Sequence, residues 1–315
     1  MIALKTYSRT GVSVTQFVRL LTLILVLSGP LVRVAAATEL GASVYPVGVE
    51  TVLPGLAPAP GTSMFYEFNN FYQANTIADG DGRSAVPGFH LRVGAVAVKF
   101  THNWGVHVLG GTLVSYAALP YLYEHLDGPF GKGEKSGFSN PDIQPMAVAY
   151  GRGAWHWWYG FDVFTPGFAY QKNDLVNIGQ HNFAVAPTSA LSYLPGHKSE
   201  LSLKLQYITN GENTQTKYRS GSEFIWEYDA MRNLTRRIAV GVNGFYYQQT
   251  TDDRQFGAQV GDGNRGRDLA AGPEIRCHWG RLALIAKYQR DTLVRYRPIG
   301  NSFWLQVGVP IGKGE

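Results

Sequence analysis

The stretch Leu201-Ser202-Leu203-Lys204-Leu205-Gln206-Tyr207 decides the fold class, because apolar and polar side chains alternate strictly along it. A period of two residues is that of a β-strand with one apolar face and one polar face. Residues 223–229 (EFIWEYD) and 282–289 (LALIAKYQ) show a similar alternation. These runs predict strands whose two faces meet different surroundings.

Nine further segments carry a comparable pattern, so that the chain contains about twelve predicted strands: 62–73, 88–101, 105–117, 142–151, 155–165, 181–193, 201–207, 223–229, 236–249, 268–279, 282–289 and 299–310. Short connections are predicted at 101–104, 151–154 and 194–197. Long polar connections are predicted at 118–141, 166–180, 209–218 and 250–267. Short turns on one side and long loops on the other are typical of an outer-membrane barrel.

Membrane insertion would explain both the aromatic strand ends and the even number of strands. No stretch after residue 38 reaches the roughly 18 apolar residues that a spanning helix needs. Trp104, Trp155, Trp226 and Trp279 lie near predicted strand ends, where aromatic girdles meet the membrane interface. A strand in lipid must pair on both edges, so the sheet must close. We therefore predict an all-β, transmembrane antiparallel barrel. The alternative is a soluble sandwich or propeller, although no internal repeat supports a propeller.

Composition excludes several other classes of protein. The chain is 45% hydrophobic and only 16% charged, with 37 glycines and 18 tyrosines, which excludes a disordered chain and a coiled coil. A single cysteine, Cys277, excludes an intramolecular disulfide. The histidines are scattered, and no Gly-x-Ser-x-Gly elbow is present. The sequence therefore predicts no metal site, no cofactor and no enzyme. A lipid-modifying enzyme whose catalytic groups meet only in three dimensions stays an alternative.

Residues 1–37 have the pattern of a signal peptide. Lys5, Arg9 and Arg19 precede an apolar run at 20–27, and small residues at 35–37 suit cleavage before Thr38. A retained membrane-anchoring helix is the alternative. Removal of this segment lowers the formal charge from +5 to +1, and no clustered basic face remains to attract a nucleic acid.

The following segment, residues 38–61, is rich in proline and glycine, and the predicted barrel occupies residues 62–315. Four prolines between 46 and 60 prevent continuous pairing in a sheet, because proline lacks the N–H donor. We expect the segment to form either a plug in the barrel lumen or a periplasmic tail.

A succession of short motifs resembles the phenol meta-pathway degradation family of outer-membrane transporters. The motifs occur in family order and cover most of residues 41–310: GASVYPVGVE at 41–50, LPGLAPAPG at 53–61, NGEN at 210–213, YRSG at 218–221, GFYYQQ at 244–249, and the pairs at 252–253, 272–273, 287–288, 297–298 and 303–304. The resemblance implies an outer-membrane channel of a Gram-negative bacterium for passive uptake of small hydrophobic or aromatic compounds. The implied partners are outer-membrane lipids, lipopolysaccharide and such solutes.

The polar faces of the alternating strands supply candidate residues for the solute path: Lys204, Gln206, Glu223, Glu227, Asn243 and Gln249. Residues in predicted long loops are candidates for the entrance, or for binding lipopolysaccharide cations: Asn210, Glu212, Asn213, Asp252 and Asp253. Besides the channel, the sequence leaves open a structural or adhesive barrel that does not conduct.

Overall fold

The computed structural model describes residues 41–129 and 131–312, apart from the side chain of His197. The predicted signal peptide at 1–37 and its cleavage site lie outside these residues. Within them, no helix is long and apolar enough to cross a membrane. The strands are β1 (Ser63–Ile77), β2 (His90–Val108), β3 (Gly111–Gly128), β4 (Gly131–Phe138), β5 (Asp142–Arg152), β6 (Trp155–Phe164), β7 (Ala184–Tyr193), β8 (Ser199–Asn210), β9 (Tyr218–Arg219), β10 (Glu223–Asn233), β11 (Ile238–Gln249), β12 (Arg254–Gln255), β13 (Ala258–Gln259), β14 (Arg267–Trp279), β15 (Leu282–Arg295) and β16 (Pro298–Ile311).

Twelve of these strands form a closed antiparallel barrel, which confirms the predicted fold class. Neighbours in the sheet follow the order β1, β2, β3, β5, β6, β7, β8, β10, β11, β14, β15 and β16. The first and last strands then pair, from Ser63 opposite Ile311 to Ile77 opposite Pro298, with a register shift near the far end. Strand β4 pairs with residues 121–128 of β3. Strands β9, β12 and β13 form a small separate sheet in the loops.

The alternation in sequence becomes an alternation between the barrel interior and its outer surface. On β8, Ser202, Lys204 and Gln206 are buried, whereas Leu201 and Tyr207 are 53% and 38% exposed. Exposed apolar side chains on the outside and buried polar ones inside are the pattern of a barrel whose surrounding solvent is lipid.

The two ends of the barrel differ in the length of their connections. Five short turns lie at one end, together with the start of β1 and the end of β16: residues 109–110, 153–154, 194–198, 234–237 and 280–281. The other end carries five long connections and one tight turn at 296–297. We call these the short-turn end and the long-loop end.

One predicted turn was wrong, and one predicted loop was only partly right. The chain does not turn at 101–104, because β2 continues to Val108 and absorbs an irregularity between Asn103 and His107. Asn103 resembles a turn residue in sequence, but its side chain is buried and donates a hydrogen bond to the carbonyl of Pro58. Residues 118–128 belong to β3, and β4 pairs with residues 121–128, so that most of the loop predicted at 118–141 is strand.

The β2–β3 turn consists of Leu109 and Gly110, with φ angles of 50° and 81°. Two successive positive φ angles are the geometry of the type I′ turn, whose preferred sequence is Asn-Gly. Glycine adopts this conformation without strain, whereas a leucine there brings its Cβ close to the backbone. Leu109 is also 84% exposed, so little packing offsets the strain.

We expect Leu109→Asn to stabilise the barrel by about 1 kcal/mol, because asparagine tolerates the left-handed conformation better than leucine does. The measurement is urea-induced unfolding of the protein reconstituted in lipid vesicles. Leu109→Ala removes the same apolar side chain but keeps the backbone strain, so it should give no comparable gain. Equal stabilisation by both substitutions would contradict this explanation.

Candidate functional site: the barrel interior

Residues 41–61, which we call the N-terminal segment, contact side chains from strands around the barrel. Its carbonyls accept hydrogen bonds from walls on different sides: Pro54 from Trp158 on β6, Pro58 from Asn103 on β2, and Val49 from Gln306 on β16. Because proline and glycine keep this segment out of the sheet, its backbone polar groups need partners from side chains. The inward-facing polar residues of the strands supply them.

Glu50 of the segment lies between two buried ammonium groups. Its carboxylate pairs with Lys99 of β2 and, at 2.5 Å, with Lys204 of β8. Burial raises the pKa of Glu50, but the ammonium groups of Lys204 and Lys99 outweigh burial and hold the pKa well below its usual range. The carboxylate is therefore ionised at neutral pH and joins two separate parts of the wall through one residue.

Glu227 of β10 binds the segment at Tyr45 and Gly48, a few residues before Glu50. It accepts hydrogen bonds from the Tyr45 hydroxyl at 2.8 Å and from the Gly48 backbone N–H at 2.5 Å. Gly48 has a φ of 88°, and a Cβ there would lie 2.5 Å from Oε1 of Gln289 and 2.7 Å from the Phe245 ring. Only glycine allows this close approach. Burial, together with the Glu227 and Glu50 carboxylates, raises the pKa of the Tyr45 hydroxyl well above its ordinary value.

Lys287 of β15 binds the segment backbone from another part of the wall. Its ammonium group donates to the carbonyls of Gly48 and Val49 and to the Thr51 hydroxyl, at 2.7, 2.8 and 2.9 Å. Gln289, two residues further on the same strand, donates to the Gly48 carbonyl at 3.0 Å. Residues 48–51 are thus held by charged or amide groups from several strands.

Apolar side chains surround the same part of the segment. Val44, Tyr45 and Val49 are at most 6% exposed and belong to one cluster with inward-facing residues of the wall, among them Phe68, Phe164, Ile208, Ile225, Phe245 and Trp304. Tyr45 meets Phe164 edge to face, with ring centroids 6.4 Å apart. The interior therefore combines fixed polar contacts with an aromatic lining.

A second polar cluster fills the interior beside the segment. Asp162 of β6 accepts four hydrogen bonds of 2.6–2.8 Å, from Tyr116, Gln144, Thr188 and Gln206. These donors come from β3, β5, β7 and β8, so one carboxylate links inward side chains of five strands. Such satisfied networks keep a narrow barrel filled and rigid.

Glu200, a buried acid of β8, contacts both the barrel wall and the N-terminal segment. Glu200 forms an ion pair with Arg276 and accepts the Leu53 backbone N–H at 2.9 Å. In the part of the chain that the structure describes, no three His, Cys, Asp or Glu side chains are grouped so that they could hold a metal ion.

The six residues proposed for the solute path are all buried, and they have different partners. Lys204 and Glu227 contact the N-terminal segment directly. Glu223 bonds both to Ser43 of the segment and to Asn210 of the barrel. The other three bond to the barrel and its loops: Gln206 to Asp162 and Thr188, Asn243 to Gln289 and the Gly272 carbonyl, and Gln249 to Asp253.

The proposed entrance residues lie at the long-loop end, where they bind nearby residues of the same protein. Asn210 is the last residue of β8, contrary to its predicted place in a loop, because it pairs with Ala184 of β7. Its side chain donates a hydrogen bond to the Gly221 carbonyl. Asp253 is buried and accepts hydrogen bonds from the Tyr218 hydroxyl and the Gly221 N–H, and burial raises its pKa. The remaining three act locally: Glu212 pairs with Lys217, Asn213 accepts the Gln215 N–H, and Asp252 pairs with Arg265.

Several residues that hold the segment were absent from the sequence-based candidates. Lys287, Gln289 and Gln306 lie on the polar faces of their strands, so the same alternation could have identified them. Lys99 is a single charged residue directly after the apolar run Ala95-Val96-Ala97-Val98. A charge in such a position also indicates a side chain that faces the interior. Glu50 lies outside any periodic pattern, and only the tertiary structure connects it with Lys99 and Lys204.

Comparison with known proteins places the chain in a family. Residues 74–307 match the family described as "Putative MetA-pathway of phenol degradation". The COG4313 outer membrane channel from Pseudomonas putida F1 is similar in structure, with a TM-score of 0.73 and 14% identity over 82% of this chain and 100% of that chain. The β domain of the Bordetella autotransporter BrkA has a TM-score of 0.46 and 12% identity over 79% of this chain and 99% of that one.

No curated protein matches the sequence. The family match nevertheless covers well over half of the chain, and the fold is that of a Gram-negative outer-membrane channel. These findings confirm the predicted family and the predicted all-β barrel fold. The chain belongs to the phenol meta-pathway degradation family of outer-membrane β-barrels.

Proposed function

We propose that the protein is a passive channel for small hydrophobic or aromatic compounds. The observation that carries this proposal is the aromatic and aliphatic lining around Val44, Tyr45 and Val49 inside the barrel. Phe164, Phe245 and Trp304 face inward there and offer an apolar surface to a hydrophobic or aromatic solute. The description of the family, which refers to phenol degradation, supports the same class of solute.

We further propose that the N-terminal segment is a movable plug. Thr51 is fully buried and Val49 is 5% exposed, so the segment occupies space that a solute would need. Displacement of residues 44–51 would leave an aromatic chamber edged by Lys204, Glu227 and Lys287. These three charged groups would then pair with one another or with water, which lowers the free energy needed to displace the segment.

A barrel with a structural role and no conduction is the second candidate. The close packing of the segment against the wall favours it, because small barrels can be filled by side chains and need not conduct. Solute flux distinguishes the two candidates directly.

We expect purified, folded protein in proteoliposomes to admit phenol faster than a sugar of similar size. Deletion of residues 41–61 should raise the flux of both solutes and reduce the difference between them, because the plug would be gone. The measurement is solute uptake into the vesicles, with empty vesicles correcting for phenol that crosses the lipid unaided.

Equal rates for phenol and sugar in the intact protein would contradict the proposed substrate class. No flux through either protein, with folding verified by the heat-dependent shift in gel mobility, would favour the structural role.

We expect Glu50→Gln to loosen the segment, because the substitution leaves the Lys99 and Lys204 ammonium groups without their shared carboxylate. Breaking a buried ion pair costs about 3 kcal/mol, which corresponds to roughly a hundredfold rise in the released population. The measurement is the rate of maleimide labelling at Val49→Cys in a Cys277→Ser background, since Val49 is buried in the docked segment.

Glu67→Gln is the matched control, because Glu67 is on the outside of β1 and its carboxylate accepts a hydrogen bond from Asn69. It makes the same chemical change and should leave the labelling rate unaltered. A similar labelling rate for Glu50→Gln and the unmodified parent would show that the ion pairs do not hold the segment.

A further inference from the structure

The outer surface of the barrel has an apolar groove across β6, β7 and β8. The groove exists because Ser189, a small residue, lies on the central strand between Tyr159 and Leu205 of its neighbours. The adjacent row toward the short-turn end is Trp157, Leu191 and Leu203. The resulting groove has a volume of about 370 Å³.

Stacked aromatic rings close this groove and hold its walls in place. Trp155 stacks on Tyr193 at the short-turn end, with centroids 4.2 Å apart. Trp157 stacks on Tyr150 of β5, with centroids 5.3 Å apart and an angle of 9° between the planes. Because the rings support one another, the groove is already formed before any molecule enters it.

Unpaired basic residues lie next to the closed end of the groove. Arg152 is opposite Trp155 in the strand register, and Lys198 follows the turn after Tyr193. Both residues are exposed. Among the described residues, neither side chain has an ion pair or a hydrogen bond. The two cations are therefore available to a ligand.

The short-turn end as a whole has a positive charge. Its five turns contain Lys198, Arg236, Arg237 and Arg281 and no acidic residue. The long-loop end carries charged residues of both signs, and its acidic residues include Asp79, Asp81 and Asp252. In bacterial outer-membrane barrels the short turns face the periplasm, so this positive end meets the phospholipid leaflet.

We propose that the groove is a binding site for one anionic phospholipid of the inner leaflet. An acyl chain occupies the space over Ser189, and the phosphate group lies between Arg152 and Lys198. Anionic headgroups are favoured because basic side chains near a membrane surface attract them. The Trp155–Tyr193 stack lies at the boundary between the acyl chain and the headgroup, where amphipathic rings are stable.

The site is separate from the barrel interior, so its test does not depend on transport. The folded full chain in detergent is titrated with phosphatidylglycerol or with phosphatidylethanolamine of identical acyl chains, and bound lipid is counted by native mass spectrometry. We expect about tenfold stronger retention of phosphatidylglycerol. The double substitution R152Q/K198Q should lower that retention to the level of phosphatidylethanolamine.

Two matched controls distinguish a site from general attraction. R236Q/R237Q removes the same charge from another turn at the same end and should leave retention unchanged. Ser189→Trp fills the groove and should weaken the binding of both lipids, whereas Ala286→Trp, a bulky change on the lipid-facing side of β15, should not.

Equal retention of the two lipids by the unmodified protein would overturn the proposal. It would also fail if R236Q/R237Q reduced retention as much as R152Q/K198Q, because that result indicates a diffuse charge effect. Heat-dependent gel mobility confirms that each variant is a folded barrel before its lipid binding is compared.

Discussion

The pairing of β1 with β16 is the constraint on which the rest of the structure depends. Ser63 lies opposite Ile311, and the two strands remain paired along most of their length. Without this closure, both strands would expose an edge of unpaired N–H and C=O groups to hydrocarbon, where no water can satisfy them. Closure also creates an interior, and with it a place for polar side chains that a flat sheet in lipid could not bury.

The interior of this barrel is a protein core built largely from polar groups. Asp162 accepts hydrogen bonds from four strands, and Glu50 is held between Lys99 and Lys204. These ionic contacts matter because a buried charge without a partner is costly. The N-terminal segment is a part of this core, since it supplies the Glu50 carboxylate and the carbonyls that Lys287 binds.

The two surfaces of the barrel serve different surroundings, and the same alternation produces both. Lys204 and Gln206 point inward on β8, while Leu203 and Leu205, which alternate with them in the sequence, line the apolar groove on the outer surface. A shift of one residue in the register would exchange these faces and place lysine in lipid. The interior contacts and the outer lipid-facing surface are therefore specified together.

The sequence alone determined the number of strands, the closed barrel and most of the connections, because a period of two with different faces is a local property of the chain. It failed at residues 101–104, where Asn103 has the chemistry of a turn but its partner, Pro58, lies 45 residues away. The sequence also identified Lys204 and Glu227 as inward-facing polar residues. Only the tertiary structure decided what they contact, since Glu50 and Tyr45 come from a segment that has no periodic pattern. Local alternation determines which face of the sheet a side chain occupies. The residue that it contacts depends on how the closed sheet brings distant strands around the same segment.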